Sequence, residues 1–224
     1  MEQDVEGRPA VESSAVPRVL ALSGLRARNK HDKHQRIFEA ASALFTGQGY
    51  SSVTTQMVAD RADVGTGTLF RYASSKAELL MMVMNEQMRL TTRQGVAEST
   101  AADSPDDAIM ALLEPQIHLS LAFPENTAVY QREILFGTEQ GKYRTEALAR
   151  ISELEDAVGN ILTRFAQAHR IRDDIDLNGA ARTVFSTLHM ELIRVSLGRQ
   201  DPQTLTATLG SHIDVLLFGI LDPE

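Results

Sequence analysis

The sequence predicts an all-α protein, a small three-helix unit followed by a larger helical body. Two observations predict the class. Apolar residues recur at helical spacing, as with Ile37, Ala41, Leu44 and Phe45 at i, i+4, i+7 and i+8, and nowhere do strand pairs or hairpin turns show. A third sets the division: 224 residues at 43% hydrophobic content hold one small module and one medium domain.

Residues 1–28 are rich in Pro, Ser, Gly, Glu and Ala without sustained periodicity, and read as a mostly disordered arm. Its end is basic. Arg26, Arg28, Lys30 and Lys33 suit an arm lying along phosphates, and equally a solvated basic turn. His31 and His34 are three apart, but with no third ligand nearby they read as surface histidines. The first helix is expected from about Lys30 to Gly47, ended by Gly47 and Gly49. Its apolar stripe has Val58, Ala62, Leu69 and Leu79 available as cover.

A second helix begins at the capping residue Thr54, followed by Thr55, and runs towards Ala62. Asp63-Val64-Gly65 supplies a turn, since aspartate tolerates turn conformations and glycine pays no steric cost at positive φ. The third helix, Thr66 to Ala73, turns Leu69 and Ala73 inward and leaves Gly67 and Arg71 outward, flanked by Thr68 and Phe70. This outer face has no acid. It offers a glycine permitting close approach, two threonines, an arginine and the rings of Phe70 and Tyr72, which suits the phosphates and base edges of a major groove. A short helical hairpin buried for packing is the plainer alternative.

Ser75 with Glu78 three residues on forms a capping box, from which a fourth helix runs to about Gln94. Further helices are expected over Asp106 to Phe123, Glu125 to Thr138, Tyr143 to Ala168, Asp176 to Gly198, and from Pro202 to Leu221. The penultimate one carries Ala181, Val184, Phe185, Leu188, Leu192 and Val195 on one face. The last is apolar almost all round through Ile213, Val215, Leu216, Leu217, Phe218, Ile220 and Leu221. Such a helix must be covered on more than one side, and a second copy is the simplest cover.

Composition narrows the function classes. No apolar run is long enough to span a bilayer, and the N-terminus lacks the basic-then-apolar order of a secretion signal, so a cytoplasmic protein is expected. The absence of cysteine excludes disulfides, a thiol nucleophile and cysteine-based zinc sites. No phosphate-binding glycine loop, metal cluster or recognisable nucleophile argues for an enzyme, so neither a catalytic residue nor a cofactor or metal site is assigned. Charge is unevenly placed: residues 1–17 carry −3, residues 18–89 carry +4 and residues 90–224 carry −9. A basic head on an acidic body is the distribution expected of a nucleic-acid-binding module.

The ordered set Ile37 to Phe45, Gly49-Tyr50, Thr54, Val58-Ala59, Ala62 to Gly65, Gly67 to Tyr72 and Ser75 to Leu80 resembles the TetR family of bacterial transcriptional regulators. It departs from the family where Gly65-Thr66-Gly67 replaces a frequent Ser-Lys-Gly, where Phe70 replaces a tyrosine, and where Ala73 replaces a phenylalanine. The resemblance implies an N-terminal helix-turn-helix DNA-binding domain at 29–74 and a helical effector-binding and dimerisation domain at 75–224. It further implies a homodimer closed by a four-helix bundle, and a palindromic double-stranded DNA operator released by a small-molecule effector. The residues assigned to DNA are Arg28, Lys30, Thr54, Thr55, Thr66, Gly67, Thr68, Phe70, Arg71, Tyr72 and Lys76, the last as a phosphate contact. Met110, Gln116, His118, Phe123, Tyr130, Glu133, Phe136 and His189 are the candidates for an effector pocket. The competing reading is a structural DNA-binding or partner-binding protein of the same shape without an effector.

Overall fold

The computed structural model describes residues 15–137, 141–168 and 171–220, with the side chains of residues 15–27 and 29 excepted. Among them are nine α-helices and no β-strand: α1 Ala15–Ser52, α2 Thr55–Arg61, α3 Thr66–Leu69, α4 Lys76–Ser99, α5 Pro105–Ala122, α6 Pro124–Phe136, α7 Lys142–Gln167, α8 Leu177–Ser196 and α9 Leu205–Phe218. A 3₁₀ turn, Pro202–Thr204, leads into α9.

Helix starts follow the caps. Thr54 accepts from the Met57 N–H at 3.2 Å, Ser75 from Glu78 at 3.1 Å, Ser104 from Asp107 at 3.2 Å, and Asp176 from Asn178 at 3.1 Å. Glu78 completes its box one residue earlier than expected, taking the Ser74 N–H at 2.6 Å.

Three expectations are corrected. Of the arm over residues 1–28, residues 1–14 lie outside the described residues, and from Ala15 the chain is already in α1. That helix passes Gly47 and breaks at Gly49, whose φ of 75° and ψ of 167° are open to glycine and strained for other residues. In the turn between α2 and α3 it is Asp63 that takes positive φ, at 50°, while Gly65 caps α3 with φ −66°. Arg36 holds Asp63 there, donating to its carboxylate at 3.2 Å and its carbonyl at 3.4 Å. The third helix is also shorter than expected. Regular α geometry ends at Leu69, and hydrogen bonds from Arg71 to the Thr68 carbonyl and from Tyr72 to that of Leu69 tighten the rest into 3₁₀ turns. In α9, residue Leu221 lies outside the described residues.

The expected core of the head is buried: Ile37, Ala41, Phe45, Val58 and Leu69 at 0%, Leu44 at 5%. Removing the Phe45 ring would cost about 3–5 kcal/mol. That core does not end at Ser74. It continues through Leu79 to Met88 of α4 into Tyr130 and Ile134 of α6 and Tyr143 and Ala147 of α7. The rest of α5, α7, α8 and α9 packs around a second cluster. Where α4 crosses α5, Gly95 is required by close approach, because a Cβ there would run into the Leu112 carbonyl.

Candidate nucleic-acid interface and effector cavity

Placement divides the residues expected to meet DNA into two groups. Gly67, Phe70 and Arg71 form an exposed patch; Phe70 is 48% exposed, and Arg71 has no partner among the described residues. Thr66 and Thr68 flank it, half-buried, and Arg28 and Lys30 lie exposed on α1. A Cβ built on Gly67 would meet nothing within 4 Å, so the fold itself has no use for a glycine there.

The second group is engaged by other parts of the protein, although Thr54 itself is exposed. Lys76 was expected to touch phosphate, but its ammonium donates to the carbonyls of Tyr50 and Val53, both at 2.9 Å, and lies 4.1 Å over the Tyr50 ring. A lysine at the start of α4 thus closes the carbonyl end of α1, where positive charge is favoured. Tyr72 donates its hydroxyl to the Lys30 carbonyl at 3.2 Å, its ring centroid 6.0 Å from that of His34. Thr54 spends its hydroxyl oxygen as the α2 cap, and Thr55 is half-buried.

In the body, α4, α5, α6 and α8 line a mainly apolar, partly open cavity of about 30 Å³. Each helix lines it with residues one turn apart: Met84 and Met88, Gln116 and Ser120, Thr127 and Gln131 beside Tyr130 and Ile134, and Phe185, His189 and Leu192; Ile151 of α7 adds to the wall. Gln116 Oε1, Gln131 Nε2 and His189 Nε2 are buried there without hydrogen-bond partners. Each such group costs about 1–3 kcal/mol, so three around one void are more than packing accounts for. The Tyr130 hydroxyl is satisfied. It donates to Asn85 Oδ1 at 2.7 Å, Asn85 donates to the Tyr143 carbonyl at 2.8 Å, and burial raises the Tyr130 pKa. Burial also pushes the Tyr143 hydroxyl up to about 12, and keeps His189 below its ordinary value.

Of the expected pocket residues, Gln116, Tyr130 and His189 line this cavity and five do not. His118 lies on the solvated side of α5 beside Glu114, 3.8 Å away, and Phe136 is 76% exposed. Met110 packs on the second core cluster, Phe123 occupies the joint between α5 and α6, and Glu133 pairs with Arg132 at 2.9 Å. Gln131, Met84 and Met88 were missed. Their signal was helical phase, since 127, 130, 131 and 134 share one face of α6 and Glu133 falls off it. A larger cleft of about 380 Å³ between α4 and α7 is open to solvent, and its Arg164 already donates to the carbonyls of Ser99, Thr100 and Ala102 at 3.3 to 3.5 Å. Unlike that cleft, the smaller cavity is lined by buried polar atoms that have no hydrogen-bond partner.

Head and cavity share struts. The Glu125 carboxylate in the first turn of α6 accepts from the Ser51 N–H at 2.9 Å and from the Ser51 hydroxyl, and Asn126 Nδ2 donates to the Phe45 carbonyl at 3.0 Å. Thus α6, a wall of the cavity, grips the end of α1, and α4, another wall, is bolted to it through Lys76.

The fold thus joins a helix-turn-helix unit, with Gly67, Phe70 and Arg71 exposed at its third helix, to a helical body that contains a small cavity. Residues 37–82 match the family described as "Bacterial regulatory proteins, tetR family". The transcriptional repressor KstR of Mycobacterium tuberculosis is 38% identical over 86 residues, 37% of this chain and 39% of that protein. The match to the Mycolicibacterium smegmatis KstR spans 34% of that protein's length. KstR of Rhodococcus jostii is 25% identical over 208 residues, 92% of each chain. The structure of Thermus thermophilus FadR, a TetR-family repressor in complex with lauroyl-CoA, superposes with a TM-score of 0.67 at 22% identity, over 85% of this chain and 96% of that one. Residues 37–82 thus match the TetR-family segment, and the rest of the chain shares the all-helical fold of these neighbours.

Proposed function

We propose that the protein is a cytoplasmic, effector-released repressor that binds a palindromic operator as a homodimer, with the head at 29–74 and the effector-binding and dimerisation body at 75–224. The observation that carries the effector reading is the small cavity with three unpaired buried polar atoms, two of whose walls hold the head. At about 30 Å³ the cavity is contracted, whereas small-molecule sites run to roughly 300–1,000 Å³. An occupant must therefore spread α4 and α6. Both are tied to the end of α1, so spreading re-aims the face of Gly67, Phe70 and Arg71. The effector shifts the population towards the conformer whose heads no longer fit DNA.

Dimerisation is supported by the uncovered face of the last helices. Leu205, Leu209, Ile213 and Leu217 are buried in the subunit, while Val215 and Phe218 are 74% and 89% exposed, with Met190 and Leu197 of the preceding segment also exposed. A two-fold pair would set its recognition helices about 34–36 Å apart. Two structural neighbours hold acyl-CoA, lauroyl-CoA in Thermus thermophilus FadR and stearoyl-CoA in Bacillus subtilis FadR, which supports an effector with a long apolar part. The test is operator binding by the purified protein, with and without acyl-CoA or other apolar small molecules. Release at saturating compound is expected, and binding indifferent to every compound that the protein takes up would favour the effector-free reading. Arg71→Ala should cost about 1–3 kcal/mol of operator binding if it reads a base.

A further inference from the structure

We propose that the cavity takes the uncharged end of a largely hydrocarbon molecule, hydrogen-bonded by Gln116, Gln131 and His189, and that it rejects carboxylates. This rests on reading the cavity as the effector site. The two glutamine side chains belong to residues only 5% and 6% exposed, and each leaves an atom unpaired at the void. A side-chain amide can turn to offer either its oxygen or its N–H, so the pair suits a hydroxyl, a ketone or an ester carbonyl alike.

Charge is what the lining lacks. Among the described residues, no Lys, Arg, Asp or Glu lines the cavity. Arg150, whose field reaches Tyr130, is already matched by Glu153 at 2.8 Å. His189 stacks on Phe185 with ring centroids 5.7 Å apart, and burial favours its neutral form. A carboxylate entering here would shed its water and find no counter-charge, whereas a neutral oxygen would satisfy groups that now have no partner. The remaining wall is hydrocarbon and thioether, and Met84 and Met88 are the side chains most able to re-pack around a larger guest.

The test uses the full chain and two probes of identical length, dodecan-1-ol and dodecanoate, at about pH 8, where the latter is charged. A neutral ring system, androst-4-ene-3,17-dione, is titrated beside them. The alcohol or the diketone should bind at least about 100-fold more tightly than dodecanoate. Gln116→Leu with Gln131→Leu should weaken that binding about tenfold or more while raising the Tm of the ligand-free protein, because the unpaired atoms are gone. Dodecanoate binding as tightly as the neutral probes, and weakened by the cavity-filling Ser120→Leu, overturns the charge rule and leaves the cavity as the effector site. Dodecanoate binding alone, weakened by Ser120→Leu, overturns the charge rule in the same way; binding that Ser120→Leu does not alter, or no binding of any of the three probes, overturns the cavity reading itself.

Discussion

Gly67→Ala separates what the fold requires from what DNA requires. The residue lies in the first turn of α3 with ordinary helical backbone, and a methyl added there meets no atom within 4 Å. Alanine should therefore stabilise the ligand-free protein by about 0.4–1 kcal/mol, through lost unfolded-state entropy and better helix propensity. For a chain of this size that is a rise in Tm of about 1–4 °C. If the same methyl faces a DNA backbone in close approach, it costs contact there. Operator affinity should fall at least about tenfold, a loss of about 1.4 kcal/mol. The assay pairs thermal denaturation with fluorescence anisotropy on an operator selected by the wild-type protein. An unchanged affinity would take this side of α3 off the DNA, and a lowered Tm would mean that the fold does need the glycine.

Three other outcomes are expected. Lys76→Met removes two charge-assisted bonds to the carbonyls of Tyr50 and Val53 and should cost about 1–3 kcal/mol of stability. The salt slope of DNA binding should stay as it was, and a flattened slope with intact stability would restore the phosphate contact. Val215→Asp with Phe218→Glu, placed on exposed positions, should leave the fold intact and give monomers by sedimentation, with operator affinity lost alongside; a double variant that still sediments as a dimer rejects α9 as the seam. Folding stability should fall with pH below about 6.5. Above that value His189 is neutral in both states and the stability is whole; as the pH drops, the unfolded chain takes up a proton that the buried ring, with its lowered pKa, refuses. His34, lowered by burial and by Lys142, acts in the same direction. His189→Phe should flatten the acid limb in a urea-denaturation series, and an unaltered limb would assign it to other groups.

The helix-turn-helix was legible because its determinants are local. Thr54 and Ser75 cap the helices they precede, and Val58, Ala62 and Leu69 are buried as their spacing dictates. The turn at Asp63-Val64-Gly65 was legible too, but not that Asp63 is the residue at positive φ, where it is bonded by Arg36, 27 residues away and invisible to a local rule. The pocket was half legible. Taking both Tyr130 and Glu133 as pocket candidates mixed two faces of α6, whereas the phase of that helix selects Gln131.

The amino-acid order by itself determined the all-helical class, the caps at Thr54 and Ser75, the exposed patch of Gly67 and Arg71, and the surplus of apolar surface on α9. These depend on periods of three and four residues and on neighbours within one turn. Only the tertiary structure decided that Lys76 faces inward, that Glu125 and Asn126 grip the end of α1, and that two glutamines and a histidine from three helices meet around one void. The physical reason is that a side chain's role is set by whichever carbonyl, charge or cavity the crossing helices bring within 3 to 4 Å, and the spacing along the chain leaves those crossings unspecified.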